Sequence, residues 1–159
     1  MAFFATATLH DFEGVAPCAV LAIDPPDASA GYRARAEVAV DQLDTGISAR
    51  NARMREMFEA QKFPKITAVL EKIDPEALRA KRAGALPFRL AIHGVERDVS
   101  PELSDWSEVP GQHVHFRATF DVALSEFGME APTAAGLVRV GDRVRVVVDV
   151  ELGARPNPR

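Results

Sequence analysis

His113 and His115 stand two residues apart in the segment HVHFRATFDVAL. On a strand that spacing puts both imidazoles on one face, which is how a metal site can begin. A third ligand would have to come from His93 or His10, and the face shared by His113 and His115 also carries Arg117 and Asp121, a composition suited to solvent. Cys18 is the single cysteine, so no disulfide can form, and its apolar surroundings from Gly14 to Ile23 suit a small buried hydrophobe better than a reactive thiol. Asp41 and Asp44 make a carboxylate pair, yet general acid work needs burial that nothing around them indicates. No G-x-S-x-G elbow, H-E-x-x-H helix or phosphate loop occurs. The expectation is a protein that is not an enzyme and uses no metal or cofactor. Arg50 is the remaining candidate. It follows the Thr45-Gly46 turn at an expected helix start, where it either pairs with a carboxylate such as Asp41 or Asp44 or meets a polar head group or phosphate.

The elements that would position these residues follow from composition and period. The chain has 159 residues, 47% of them hydrophobic, with 19 Lys and Arg against 23 Asp and Glu, a net charge of −4. One soluble domain at 3–152 is expected, able to bury roughly two-thirds of its unfolded surface, with 153–159 as a disordered tail. Net acidity and scattered Arg residues supply no basic face for nucleic acid. The longest charge-free runs reach about half the roughly 20 residues of a membrane span. The start MAFFATATLHDFEG lacks the basic and apolar layout of a signal peptide. A cytoplasmic protein is expected from the chain as it stands, or a periplasmic one if a leader was trimmed.

Alternation of apolar and polar residues, the mark of a half-buried strand, recurs along the chain. Ala34, Ala36, Val38 and Val40 share one face; so do Leu86, Phe88, Leu90 and Ile92; so do Val114, Phe116, Ala118, Phe120 and Val122; and so do Val144, Val146, Val148 and Val150. Further runs at 3–12, 15–23, 65–73 and 96–103 bring the total to about eight strands. Turn chemistry falls at Asp24-Pro25-Pro26-Asp27, Pro110-Gly111 and Gly141-Asp142. The segment ISARNARMREMFEAQKF breaks the pattern with helical spacing of Ile47, Met54, Met57 and Phe58. Its helix, near residues 48–61, is expected to be capped by Thr45 or Ser48 and to end near Gln61, because Pro64 pushes Phe63 out of the helical region. A second helical turn is expected at Pro75 to Lys81.

The order DTGISARNARMREMFEAQKFPKIT, LAIHGVERDV, LSEFGM and VGDRVRVVVDVEL resembles the YceI-like family of lipocalin-like, polyisoprenoid-binding proteins, over nearly the whole chain. The resemblance is carried by Thr45-Gly46 with Arg50 and Asn51, Phe63-Pro64, Gly94-Val95 and Phe127-Gly128. Asn51 and Glu126 stand where Asp is common in that family. The resemblance implies octaprenyl-type chains or quinones as ligands.

The expected fold is all-β, a lipocalin-like antiparallel β-barrel of about eight strands with one short helical segment. Such a barrel is either filled by its own side chains or holds one slender ligand. Large Phe88, Phe116 and Phe120 mix with small Ala34, Ala36, Ala91, Ala118 and Ala123 on the stripes read as inward, which permits a narrow apolar tunnel. Its expected lining is Val38, Val40, Met54, Phe58, Phe88, Leu90, Phe116, Phe120, Val146 and Val148. Met54, Met57 and Phe58 suit an adaptable lid at one mouth, with Arg50 as the head-group candidate. The function expected is binding, storage or transport of a hydrophobic lipid of polyisoprenoid, quinone or fatty-acid type, without chemistry. Two alternatives stay open: a filled barrel serving as an interaction or stress-related module, and a metal-assisted enzyme using His113 and His115. Trp106, in the polar stretch SDWSEV, is expected to anchor a loop or plug a barrel end, and the outer face around Val147 offers a surface for a homodimer.

Overall fold

The computed structural model describes residues 1–8, 11–17, 20–27, 31–73, 76, 80, 86–109, 113–134 and 138–153. Among them eleven strands form two antiparallel sheets. The first sheet contains β1 (Ala2–Ala7), β2 (Phe12–Val15), β8 (Glu102–Val109), β9 (His113–Ala123), β10 (Thr133–Ala134) and β11 (Val138–Gly153). Its order is β2-β1-β11-β9-β8, with β10 beside β11. The second sheet runs β3 (Val20–Asp27), β4 (Gly31–Ala39), β5 (Lys65–Ile73), β6 (Phe88–Ile92) and β7 (Val95–Val99), in that spatial order. The sheets face each other across one interior as a lipocalin-like barrel. Among the described residues their edges are not laddered together; a single bridge between Val15 and Asp44 ties β2 to the chain beyond β4.

The period-two stripes converge as their alternation requires. Phe116, Ala118, Phe120 and Val122 of β9 stand opposite Val150, Val148, Val146 and Val144 of β11, so one row of apolar residues faces inward from each strand. Their outward neighbours form a lattice of charge: Arg117 reaches Asp149 at 2.9 Å and Asp105 at 2.7 Å, and Arg145 reaches Asp121 at 3.3 Å. On the second sheet Glu37 accepts from Lys65 and Arg35, which holds its carboxyl below the ordinary range.

Several expectations are corrected. Eleven strands replace about eight because β2 stands between the runs at 3–12 and 15–23, the run at 96–103 is divided between β7 and β8, and the two-residue β10 adds one more. Gly141-Asp142 is not a turn; it lies inside β11, where the register against β1 shifts between Ala5 and Ala7. Gly141 leaves room there, since a side chain would meet Thr6 Oγ1 and oblige that hydroxyl to move. Asp142 instead caps the 3-10 turn Leu124–Phe127, accepting from Ser125 N–H at 2.8 Å and its hydroxyl at 2.7 Å, and these bonds hold its carboxyl low. The backbone of β3 continues through Asp24–Asp27 with a register shift, because the two prolines have no N–H to give the ladder. Ala91 and Ala123 face outward, opposite Thr67 and Arg143. Pro110-Gly111 lies outside the described residues, as do Cys18, His10 and 154–159, while Gly153 still belongs to β11. The helical turn expected at 75–81 falls mostly outside them too, although Ala80 N–H donates to Glu76 O at 2.9 Å.

The helix α1 (Ser48–Met57) is shorter than expected, and its N-cap is Ile47, without a side-chain cap. It closes with Glu59 N–H on Glu56 O and Ala60 N–H on Arg55 O, both at 3.0 Å, the paired bonds of a Schellman ending. Glu59 takes the left-handed position (φ 46°) that glycine usually fills, so no residue type announced the stop.

Beyond α1, the motif residues of the C-terminal half meet in one cluster. His93 and Gly94, both at positive φ, make the two-residue turn joining β6 to β7, the geometry that suits the twist of a hairpin. Phe63 lies on that turn: a Cβ on Gly94 would come within 2.7 Å of its ring, and the ring stands 4.6 Å from that of His93. His93 Nδ1 is 3.2 Å from the Phe127 carbonyl oxygen, and Nε2 is 3.5 Å from Glu59. Gly94→Ala combines a left-handed backbone penalty with a clash on Phe63, so a loss of about 2–3 kcal/mol is expected in urea unfolding. A loss under 0.5 kcal/mol would mean that Phe63 does not rest on this turn.

Candidate functional site

The two sheets do not fill the space between them. A cavity of about 500 Å³ runs through the interior, with a lining that is almost wholly carbon. Of the expected lining residues, Val38 reaches it from β4, Phe88 and Leu90 from β6, Phe116 and Phe120 from β9, and Val146 and Val148 from β11. Val40 does not. The chain leaves β4 at Ala39 and tightens into a 3-10 turn at Val40–Gln42, which takes Val40, only 1% exposed, into the packed core. Small Ala5, Ala34, Ala36, Ala68 and Ala118 leave the free volume. Phe3, Ala5 and Phe12, with Ile66, Ala68 and Leu70 of β5, complete much of the wall; apart from Phe12, their period-two spacing was a signal available in the sequence. Gly14 makes room for the wall, because a side chain there would overlap the Phe3 ring.

One mouth is covered by α1. Met54 and Phe58 are buried and line the cavity with Met57, as an apolar lid would. The lid is held by a polar knot at its entry, where Thr45 and Asn51 are the buried polar residues among those described. Asn51 Oδ1 accepts from Thr45 N–H at 2.9 Å and from the Thr45 hydroxyl at 2.6 Å. Asn51 Nδ2 donates to Asp44 Oδ1 at 2.7 Å, and Gly46 N–H donates to the same oxygen at 2.8 Å. The Asn51 amide and the Gly46 N–H hold the Asp44 carboxyl below its ordinary range. Gly46 takes φ 75° to make the turn.

That knot decides the position of Arg50. Asp44 faces Asn51, and no carboxylate lies within 4 Å of Arg50 among the described residues, contrary to the carboxylate pairing left open by the sequence. Arg50 instead donates from Nη2 to Thr45 O at 2.6 Å and lies 4.3 Å over the Phe12 ring. Its Nε is buried without a hydrogen-bond partner. Arg50 and Arg53 both line the cavity, and Arg53 is already paired with Glu56 at 3.1 Å. An uncompensated guanidinium therefore stands at the lid.

Toward the Val150 end of β11 two aromatic rings stack. In β8 the register slips between Ser104 and Ser107, and Asp105 takes φ 53°, a bulge that turns the strand's next side chain to the other face. Trp106 is thereby set against Phe116, with ring centroids 5.5 Å apart and planes 16° from parallel. Phe116, 2% exposed, and Leu86 form the cavity surface there, with Trp106 packed behind them.

The other candidates are not assembled. His115 lies on the outer face, 4.0 Å from Asp149, and the His113 side chain lies outside what is described. Among the described residues no three of His, Cys, Asp and Glu converge as a metal site would require. No helix among them is long and apolar enough to cross a membrane. The outer face of Val147 continues through Ala2 to Val15, which is 52% exposed.

A two-sheet antiparallel barrel with an apolar, lidded interior defines a lipocalin-like protein. The chain belongs to the YceI-like family, whose domain model matches residues 4–152. Solved structures share the fold at low identity. The crystal structure of Burkholderia cenocepacia BcnA is 18% identical, covers 95% of each chain and superposes with a TM-score of 0.68. The YceI protein of Campylobacter jejuni is 19% identical over 90% of this chain and 85% of its own, with a TM-score of 0.65. A polyisoprenoid binding domain from Saccharophagus degradans, implicated in plant cell wall breakdown, is 18% identical over 96% of this chain and 92% of its own, with a TM-score of 0.69. The curated proteins contain no match to this chain.

Proposed function

We propose that this protein binds a long apolar ligand of lipid type inside the barrel, for storage or transport, and performs no chemistry on it. The observation that carries the reading is the cavity of about 500 Å³ whose wall is almost all hydrocarbon. Enclosing a chain there gains roughly 25 cal/mol per Å² of apolar surface removed from water, so affinity needs no reactive group. Arg50 supplies a donor for a polar head at the lid, and Met54 and Met57 supply side chains that adapt as a ligand passes. The structure of a polyisoprenoid binding domain with the same fold supports an apolar occupant.

Solvent extraction of the freshly purified protein, followed by mass spectrometry against an unrelated protein from the same host, tests this. The expected result is one lipid species near one per chain. An empty extract from protein that also fails to take up an apolar fluorophore would refute the reading.

A further inference from the structure

A ligand held inside the barrel needs a way in, and the seam between β7 and β9 offers one; this inference rests on the container reading above. β7 and β8 are one extended run that changes partners at Ser100-Pro101. Before that point the run ladders onto β6, and from Glu102 onward it ladders onto β9, beginning at Thr119. Pro101, buried and without an N–H to give, stands where the next pair, with Phe120, would form. From Phe120 to Ala123, β9 is therefore laddered on one side only, to β11, while β7 is an edge of its own sheet. The charged groups on either side of the seam pair within their own sheets, Asp98 with Arg89 at 3.6 Å and Asp121 with Arg145 at 3.3 Å. Among the described residues no hydrogen bond or ion pair joins β7 to β9.

A cleft opens in this seam, with exposed Arg97, Glu102 and Asp121 on its rim. Phe120 and Val122 line both the cleft and the interior cavity, so a single layer of residues divides the two spaces. Phe120 is the weaker part of that layer. Of the inward residues Phe116, Ala118, Phe120 and Val122, it alone is not buried, and its ring meets Phe88 across the seam edge-on, with centroids 5.1 Å apart. Swinging that ring aside breaks no hydrogen bond. Lifting α1 instead breaks the three that Asn51 makes to Thr45 and Asp44. Met54 and Met57 yield to a chain inside the barrel without the helix leaving its seat.

We infer that the apolar ligand enters and leaves through the seam between β7 and β9, with the Phe120 ring as its gate, while α1 stays seated over the mouth.

Stopped-flow mixing of the full chain with a neutral apolar fluorophore tests this route. Phe120→Leu removes the ring contact, so association and dissociation are both expected to quicken by about three- to tenfold, leaving their ratio within about fivefold of the parent. The second arm blocks the cleft. In a chain carrying Cys18→Ser, a bulky uncharged maleimide on Thr119→Cys, a position that lines the cleft, is expected to slow uptake by about tenfold or more and to leave the final amount bound unchanged. Circular dichroism confirms the fold of each variant, and the blocked chain keeps the test intact if the Leu variant unfolds. A blocked chain that fills within about twofold of the parent rate overturns the route. So does a Leu variant in which dissociation alone quickens, since that reports a lost contact and not an opened gate. Uptake that quickens in Asn51→Asp, where the lid is loosened, and is unmoved at Phe120 and Thr119 overturns it in favour of entry at the lid. In each of these cases the fluorophore still binds and the container reading stands. No uptake by the parent, together with an empty solvent extract, overturns both.

Discussion

Phe120→Asp is expected to abolish uptake of an apolar ligand, with a loss of at least about 100-fold in affinity, while Phe120→Leu stays within roughly fivefold of the parent. Phe120 projects from β9 into the cavity, half-buried, and meets the edge of Phe88 with ring centroids 5.1 Å apart and planes at 74°. A carboxylate at this position keeps its hydration shell, and a hydrocarbon chain entering the tunnel would have to strip it, at a penalty of several kcal/mol. Leucine removes a ring contact and leaves the wall dry. Titration with an apolar fluorophore, on protein shown to be folded by circular dichroism, distinguishes the two. Undiminished lipid on a folded Asp variant would sink the placement of the ligand in this cavity.

The second large effect concerns the knot that seats the lid. Asn51→Asp is expected to lower Tm by roughly 5–10 °C at neutral pH. The oxygen that accepts from Thr45 N–H and hydroxyl survives this change. The amide donor does not: Nδ2, 2.7 Å from Asp44 Oδ1, becomes a second carboxylate oxygen facing the first. In the parent, Asp44 has a lowered carboxyl, held by Asn51 first and Gly46 second. Its contribution to stability is therefore present at neutral pH and is lost only as pH falls below the ordinary carboxylate range. In the variant the sign reverses, because like charges at hydrogen-bond distance favour sharing a proton. The gap in Tm between variant and parent should then narrow as pH is lowered toward about 4. A gap that is constant from pH 7 to pH 4 would mean that the two side chains do not face each other.

The same knot explains a departure from the family pattern. Asn at 51, where Asp is common, is compatible with the carboxylate of Asp44 because only the amide can accept from Thr45 and donate to Asp44 at once. The resemblance was carried by scattered short motifs, and their physical relation became visible only in the fold. Thr45, Gly46, Arg50 and Asn51 form one cluster at the entry to α1, and Phe63, His93, Gly94 and Phe127 form another at its exit. Both brace the lid from opposite sides. The stop of α1 was illegible for a definite reason: the left-handed position is filled by Glu59 and not by glycine.

Local period carried the rest of the reading. Strands whose apolar residues recur at every second place must turn that face to a core, so the inward rows on β4, β6, β9 and β11 followed from the residues alone. Alternation alone left a filled barrel and a container equally open; the likeness to the YceI-like family rests on the short motifs and not on period. Three properties depended instead on residues distant in sequence. The interior stays open because alanines from five positions on four strands meet across it. Arg50 has no carboxylate partner among the described residues, Asp44 being engaged by Asn51 and Gly46. Trp106 reaches Phe116 because a bulge at Asp105 redirects it. Alternation specifies which face a side chain takes; the register of partner strands and the competition for each hydrogen bond decide what it meets there.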